Sequence, residues 1–537
     1  MERPLPEFFT EQVAWEADLI EERGREGAGP LISGLEYDSR RVKPGNIYFA
    51  LPGLHTDGHR FVPDALDRGA AAIIHQETLP KYRKGIRYMR VRDSRFAMSP
   101  VAAAFYGYPS RKLILIGVTG TEGKSTTVYL IYQLLVLAGK RAGFISTVQY
   151  GDGSREAWNP EHQTTPEAVA IHRQLAEMVA NGAEYGVVES SSHGLSPRTN
   201  RLGDVAFDVA VMTNVTHEHL EFHGSWEQYR DDKANLFRAL DRFDHTKDAW
   251  LKRALEPDVE TFIPPSFGVV NADDPSAVFF ASATQHKTYT FSVRSNAADL
   301  SLRIIESGMT GNWYETLIRE TGEILDIRDR LPGAFNAGNV LASLLVVSKL
   351  LSIPVRDLVP LAARLRPVRG RMTAIQKGQP FDVFVDYAHT PSSFETVFPP
   401  FRERLRKTGG RLISLFGSAG ERDTTKRPEQ GRIAGLWSDI VILTDEDPRG
   451  EDPMDILEEI ARGCAANLKL RRGKELFLIP DRKAAIRKAF SLARPGDKVL
   501  LLGKGHENSI IYAAETLPYD EIAEAEKALA EMGWAGG

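Results

Sequence analysis

The chain has 537 residues, and about 150 residues per domain predicts three or four domains. Lys plus Arg number 67 and Asp plus Glu 72; the net charge of -5 argues against a general nucleic-acid binder, which carries a basic excess. The single cysteine, Cys464, excludes an intrachain disulfide and a cysteine-rich zinc site, the usage expected of a reducing cytoplasm.

The opening MERPLPEFFTEQ lacks the basic start and apolar core of a secretory signal, and no stretch reaches the ~18 apolar residues of a membrane span. Residues 1 to about 110 read as a small α/β unit, with turns at Pro44-Gly45 and Pro52-Gly53 and a buried strand at AAAIIH (70–75). LILIGV (113–118) is the next apolar strand. A glycine-rich loop follows, then a helix over 125–140 closed near Gly139. Strands at EYGVVES (184–190) and FDVAVMTNV (207–215) alternate with helices, which predicts a mostly parallel sheet covered on both faces. Residues 244–266 read as a surface insertion, and 268–330 as a β-rich annex of the same domain.

From Pro367 the pattern is regular. FDVFVDYAHTP, RLISLFGSAGERD, DIVILTDEDPRG and DKVLLLGKGHE each join an apolar strand to a polar segment. Helices at 426–438 and 453–463 separate them, with Cys464 read as a helix residue. Ligands of open α/β sheets bind beyond the carboxyl ends of the strands, so these four ends predict one binding face.

GVTGTEGKSTT (117–127) lies between a strand and a helix, the context a phosphate loop requires. Glycines let backbone N–H groups turn toward phosphate oxygens, and the helix N-terminus adds a positive end. Lys124 would reach the terminal phosphates and Ser125 would hold Mg²⁺. The strict pattern asks for glycine at 118, where the chain has valine; its glycines fall at 117, 120 and 123. NVTHEHLEFHG (214–224) is dense in His217, Glu218, His219, Glu221 and His223. It is not a zinc-protease motif, because H-E-x-x-H would need histidine at 221. Glu189, at a strand end, is a candidate oxygen ligand for Mg²⁺.

This G-T-x-G-K-S form of the loop resembles the Mur ligase and folylpolyglutamate synthetase superfamily. The likeness to Mur ligases runs over nearly the whole chain, through DYAHTP (386–391), FGSAGERDTTKRP (416–428), Asp447 to Arg449 within TDEDPRGEDP, and GKGHE (503–507). It is strongest to the members that add the third residue of the peptidoglycan stem peptide. The resemblance implies an α/β fold in three domains. These are a UDP-sugar-binding domain (1–110), a P-loop parallel-sheet ATP domain with its β-rich annex (111–366) and a Rossmann-like amino-acid domain (367–537).

The resemblance also implies site residues. Thr119, Gly120, Thr121, Glu122, Gly123, Lys124, Ser125 and Thr126 would wrap the ATP phosphates. Lys124, Glu189, His219 and Lys233 would form the catalytic set. Ser125, Glu189, His219 and carbamylated Lys233 would hold two Mg²⁺ ions. Asn336 and Asn339 match an adenine-site motif, and Arg371, Asp386 and His389 further nucleotide contacts. Ser39, His55, Thr56, Gln163, Thr164, Thr165, Ser191 and Arg201 match contacts to a UDP-muramoyl-dipeptide. HGLSPRTNRL is two residues longer than its usual equivalent, so Arg198 is the alternative to Arg201. Arg422, Glu446, Asp447, Pro448, Arg449, Gly503 and Glu507 would receive the amino acid.

Arg449 suits the distal carboxylate of meso-diaminopimelate. Acidic Glu446 and Asp447, where D-N-P-R is typical, suit the bare ammonium of L-lysine or L-ornithine. The reading places diaminopimelate slightly ahead. It further implies a cytoplasmic monomer with neither nucleic-acid nor membrane partners. The competing readings are another amide ligase of the superfamily, of the D-Ala-D-Ala-adding or folylpolyglutamate type, and a P-loop ATPase without ligase chemistry. The D-S-R segment at Asp38–Arg40 favours a UDP-sugar over folate. Glu189, His219 and Lys233 exceed what a simple ATPase needs.

Overall fold

The computed structural model describes the chain apart from residues 1, 25–28, 54–55, 160–162, 217–219, 249–259, 309–310, 465–468 and 535–537, and the side chains of 220 and 221. His55 and His219 therefore lie outside the described residues. The chain divides into two compact α/β units. The first comprises Met1–Glu306, Asn312–Arg330 and Ala334–Leu365; the second comprises Ser307–Gly311, Leu331–Gly333 and Arg366–Gly537.

The first unit contains two main sheets. A five-stranded sheet runs Leu19–Arg23, Arg87–Val91, Ala72–His75, Asn46–Phe49, Gly34–Glu36, parallel except at its first pair. The eleven-stranded sheet is centred on Ile114–Thr119, which lies between Tyr185–Glu189 and Val209–Met212 in parallel register. Every residue of Ile114–Thr119 and Tyr185–Glu189 is buried, as strands covered on both faces require. The chain leaves Ile114–Thr119 for strands on one side of it and then crosses to Val209–Met212 on the other. That reversal of strand order opens a crevice at the carboxyl end of Ile114–Thr119. The annex continues the same sheet through Phe267–Asn271, Thr288–Ser292 and Leu300–Ser307 to an antiparallel pair, Asn312–Ile318 with Ile324–Asp329.

The two sheets of this unit are joined by ions as well as by packing. Glu167 accepts hydrogen bonds from Arg95 (2.8 Å) and Arg201 (2.9 Å). Most described residues of the 244–266 segment are exposed, as a surface insertion requires, but one of them anchors it. Lys247, 1% exposed, pairs with Asp208 at 3.0 Å, and His245 Nδ1 lies 2.9 Å from the same carboxylate. Asp208 also accepts the Leu115 N–H at 2.8 Å, so the segment is tied to the start of the phosphate-loop strand.

In the second unit a six-stranded sheet has the order Thr373–Ile375, Asp382–Asp386, Lys498–Leu502, Leu412–Phe416, Ile440–Leu443, Leu476–Leu478. Alternate side chains build two cores. Phe384, Leu412, Phe416, Val441, Leu500 and Leu502 face helices Pro391–Thr408, Lys426–Trp437 and Pro453–Cys464. Val383, Val385, Ile413, Leu415, Ile442 and Leu501 face helices Arg482–Leu492 and Glu521–Glu531. Cys464 ends its helix with Sγ 3.3 Å from Gly431 O, and burial pushes its thiol up to about 12, so it is no nucleophile at neutral pH.

His172, on helix Ala168–Ala180, is fully buried, and neither ring nitrogen has a partner among the described residues. Burial depresses its pKa to about 3. The native ring stays neutral while the unfolded chain takes up a proton below about pH 6.5. Stability is therefore intact above that pH and is lost as the pH falls toward 3. His172→Leu is expected to retain about 2–3 kcal/mol more of its neutral-pH stability at pH ~4.5 than the parent does. Urea midpoints measured between pH 4.5 and 8 check this.

Candidate active site

The glycines around the phosphate loop have separate jobs. Gly117 is still in the strand; a Cβ there would lie 2.4 Å from Leu236 Cδ1, so glycine lets helix Trp226–Arg242 pack on the sheet. Gly120, at φ +150°, would place a Cβ 1.9 Å from Thr213 Oγ1. Gly123 caps helix Lys124–Leu137 at φ +80°. Val118 is fully buried in the strand, where an apolar side chain is needed, and this accounts for the departure from the strict pattern.

The end of the next strand frames the loop. Thr121 N–H donates to Asn214 O (2.8 Å), Glu122 N–H to Asn214 Oδ1 (2.9 Å), and Thr213 Oγ1 to Glu122 O (2.6 Å). Lys124 Nζ curls back onto Thr121 O at 2.7 Å, above the positive end of its own helix. Glu189 is 1% exposed; it accepts the Ser125 hydroxyl at 3.0 Å and the Thr147 N–H at 2.8 Å. Lys233, also 1% exposed, donates to Gly120 O at 2.6 Å and lies 4.4 Å from the centre of the Tyr229 ring. Asn339 donates to Asn336 at 3.0 Å and accepts from Thr127 at 3.2 Å, which puts the asparagine pair against the phosphate-loop helix.

Residues expected to meet the sugar nucleotide divide into groups. Thr165 is fully buried and joins Glu189 O (2.9 Å) to the Ser191 N–H (3.0 Å). Arg201 donates to Thr165 O at 2.8 Å as well as to Glu167, so it belongs to this cluster. Arg198 instead donates to Phe222 O at 2.6 Å and covers that ring at 4.7 Å. Gln163 is exposed and Thr164 half-buried. Ser39 and Thr56 lie with the five-stranded sheet, Ser39 buried in a turn capped by Asp38 and Thr56 exposed.

In the second unit the carboxyl ends of four parallel strands carry one polar cluster. Lys504, with no exposed side-chain surface, lies 2.9 Å from Asp447 Oδ1 and 2.5 Å from Glu507 Oε2. Burial disfavours its charge, but Glu507 and Asp447 outweigh that and raise its pKa. Glu507 is pushed up by burial and also accepts the Tyr387 hydroxyl at 3.3 Å. Burial raises the neighbouring Asp445 to about 6, and Tyr512 donates to it at 2.9 Å.

Gly503 makes room for Glu446, whose Oε2 would be 3.1 Å from a Cβ there and has no hydrogen-bond partner among the described residues. Arg449 takes a left-handed backbone (φ +56°) and its N–H donates to Ile511 O; its buried Nε likewise has no partner. Gly420 would put a Cβ 1.9 Å from Pro448 O, so the FGSAG turn lies directly against Pro448. Arg422 is exposed. Arg371 covers the Tyr387 ring at 4.7 Å; Asp386, raised by burial, accepts the N–H groups of Met372 and Ala388; His389 Nδ1 is 2.8 Å from Tyr387 O.

Family models cover most of the chain. The Mur ligase family catalytic domain matches 31–106, the Mur ligase middle domain 118–246 and 259–347, and the Mur ligase glutamate ligase domain 370–505. The chain belongs to the Mur ligase family. It is 50% identical over 518 residues to the UDP-N-acetylmuramyl-tripeptide synthetase of Treponema denticola, covering 93% of this chain and 94% of that protein. It is 36% identical over 511 residues to the UDP-N-acetylmuramoyl-L-alanyl-D-glutamate--2,6-diaminopimelate ligase of Geobacillus kaustophilus, covering 94% and 96%. A solved structure of a ligase of the latter name matches with TM-score 0.58 and 26% identity, over 96% of this chain and 98% of that one.

Several groups of this Mur ligase escaped the sequence reading. Tyr229 has a legible signal, because it lies one helical turn before Lys233 on the same face. Its hydroxyl is 3.0 Å from Thr121 Oγ1. Asn214 and Thr213 follow a strand, which marks them only as strand-end residues. Lys504 stands in the GKGHE segment, but nothing local pairs it with Asp447, 57 residues away.

Proposed function

We propose that this Mur ligase uses ATP to join a diamino acid to UDP-N-acetylmuramoyl-L-alanyl-D-glutamate, in the synthesis of peptidoglycan precursors. The observation that carries the reading is one chain holding both a phosphate loop with Glu189 and Lys233 against it, and a strand-end cluster with charges of both signs. The division into a UDP-sugar domain (1–110), an ATP domain (111–366) and an amino-acid domain (367–537) is part of the proposal, supported by the three separate main sheets.

A carboxylate cannot condense directly with an amine, because oxide is not a leaving group. Attack of the glutamyl carboxylate on the γ-phosphorus of ATP gives an acyl phosphate and ADP. The incoming amine attacks the acyl carbon, and the tetrahedral intermediate collapses with release of phosphate. The protein positions the reactants and offsets charge. Lys124 and the N–H groups at the start of helix Lys124–Leu137 attract the phosphates. The Thr119 hydroxyl, buried with no protein partner among the described residues, faces the same task.

The donor set fits Mg²⁺, since Ser125 and Glu189 present hard oxygens in contact with each other. Ser125, Glu189 and His219 would hold one ion, and Lys233 as its carbamate a second. These ions would supply neutralisation of the phosphate charge. A cytoplasmic monomer is part of the proposal; the single cysteine is free and buried, and among the described residues no helix is long and apolar enough to cross a membrane.

For the amino acid, meso-diaminopimelate is placed ahead of L-lysine and L-ornithine. Lys504 offsets the charge of Asp447, which leaves Glu446 and Arg449 with unpartnered buried atoms of opposite sign. Such a pair suits a distal end carrying both ammonium and carboxylate. Amide product formed with each of the three amino acids is the test. The highest kcat/KM is expected with meso-diaminopimelate. A clear preference for lysine or ornithine would reverse this order, and product only with a neutral amino acid would overturn the pocket.

A further inference from the structure

Among the histidines that crowd 214–224, His223 has no role in the phosphate chemistry set out above. Its side chain is wholly buried. Nδ1 lies 2.7 Å from Asp232 Oδ2 and Nε2 lies 3.0 Å from Ser192 Oγ. Ser192 and Asp232 are each 2% exposed. The Asp232 acceptor selects the Nδ1–H tautomer, so Nε2 accepts the Ser192 hydroxyl. Asp232 is held as a carboxylate: burial works against its charge, but hydrogen bonds from His223, Gln228 and Ser196 outweigh that.

This order of groups is that of a serine nucleophile with its base, yet the serine is sealed from any substrate. Its placement gives another meaning. Ser192 opens the helix Ser192–Leu195, whose cap is Ser191, and Ser191 is bonded through Thr165 to Glu189 O. Asp232 is the residue next to Lys233 on helix Trp226–Arg242. The chain Ser192–His223–Asp232 therefore spans the gap between the loop that follows Glu189 and the helix that aims Lys233. Asp232 and Lys233 point about 100° apart around that helix, so pinning Asp232 fixes the rotation at which Lys233 meets Gly120 O.

A second contact holds the loop after Glu189 against Phe222, the residue before His223. His193 packs on Phe222 with ring centres 4.1 Å apart, and Arg198 covers the ring and bonds its carbonyl. An apolar filling would make an equally stable core; a fully bonded polar network adds a defined geometry.

We propose that Ser192, His223 and Asp232 are positioning residues of the ligase reaction, a buried relay that sets Lys233 against the phosphate loop and the Glu189–Ser191 turn. The inference rests on the proposed ligase function. A misplacement of about 1 Å in such a site costs on the order of 100-fold in rate. In the full-length enzyme, His223→Ala is expected to lower kcat about 100-fold with the KM for ATP changed less than about twofold. His223→Gln fills the volume and keeps a partner for Ser192, and is expected to recover about tenfold of that loss.

Steady-state kinetics are measured beside thermal unfolding and ADP binding for both variants. A folded His223→Ala enzyme with parental kcat overturns the relay, as does a folded His223→Gln enzyme no faster than His223→Ala. So does a kcat that falls only in step with the folded fraction, since that is a purely structural role. Absence of amide product in the parent enzyme would instead strike the proposed function, so the two failures are distinct.

Discussion

Replacing Lys124 by alanine is expected to reduce ADP release dependent on UDP-muramoyl-dipeptide by about 1,000-fold, the scale of losing one preorganised charge stabiliser at a transition state. The ammonium now rests on Thr121 O at 2.7 Å, at the mouth of the helix whose N–H groups open toward the loop. Alanine removes the one long cation of the loop and leaves the backbone cradle intact, because Gly120 and Gly123 set its shape. ADP affinity should fall far less than turnover. Coupled assay of ADP release with and without the dipeptide substrate checks both statements. Turnover at the parental rate would overturn the assignment of this loop to phosphoryl transfer.

The second large effect is expected at Lys504. Its Nζ is buried between Asp447 and Glu507, and Lys504→Met would leave two carboxylates facing each other without a cation. Removing one partner of a buried pair costs about 3–5 kcal/mol, because the remaining charge stays desolvated. Glu507 is already raised by burial, so the loss should drive it further toward its protonated form. The double variant Lys504→Met with Asp447→Asn removes one of the stranded charges and should regain at least half of the lost stability. Urea unfolding of the two single variants and the double one closes the cycle. An additive cycle would show that Lys504 and Asp447 do not interact. The same single variant should raise the KM for the diamino acid, since Asp447 and Glu507 adjoin Glu446 and Arg449 in the proposed pocket.

The sequence showed what is local. Short continuous apolar runs mark Ile114–Thr119, Asp382–Asp386 and Leu412–Phe416 as strands, because a parallel strand covered on both faces is apolar along its length. The glycines at 120 and 123 before Lys124 mark a phosphate loop, because only a backbone free of Cβ turns there. The polar residues after each apolar strand from Pro367 onward mark a binding face. These signals, with the motifs in order, were enough for the family.

Other assignments needed the folded chain. Gly117 looked like part of the loop, yet it admits Leu236 from a helix more than 100 residues later. The sequence favoured Arg201 with Arg198 as its alternative; the structure sends Arg201 to Thr165 and Glu167 and Arg198 to Phe222. His223 was one histidine among several until its ring was seen between Ser192 and Asp232. Asp447 reads as an acid for a substrate ammonium beside Arg449, but the strand order of the six-stranded sheet carries Lys504 to it from 57 residues away. Periodicity and turn chemistry are written in neighbouring residues. Burial, charge pairing and hydrogen-bond partners depend on which distant segments pack together, and that is decided only by the tertiary fold.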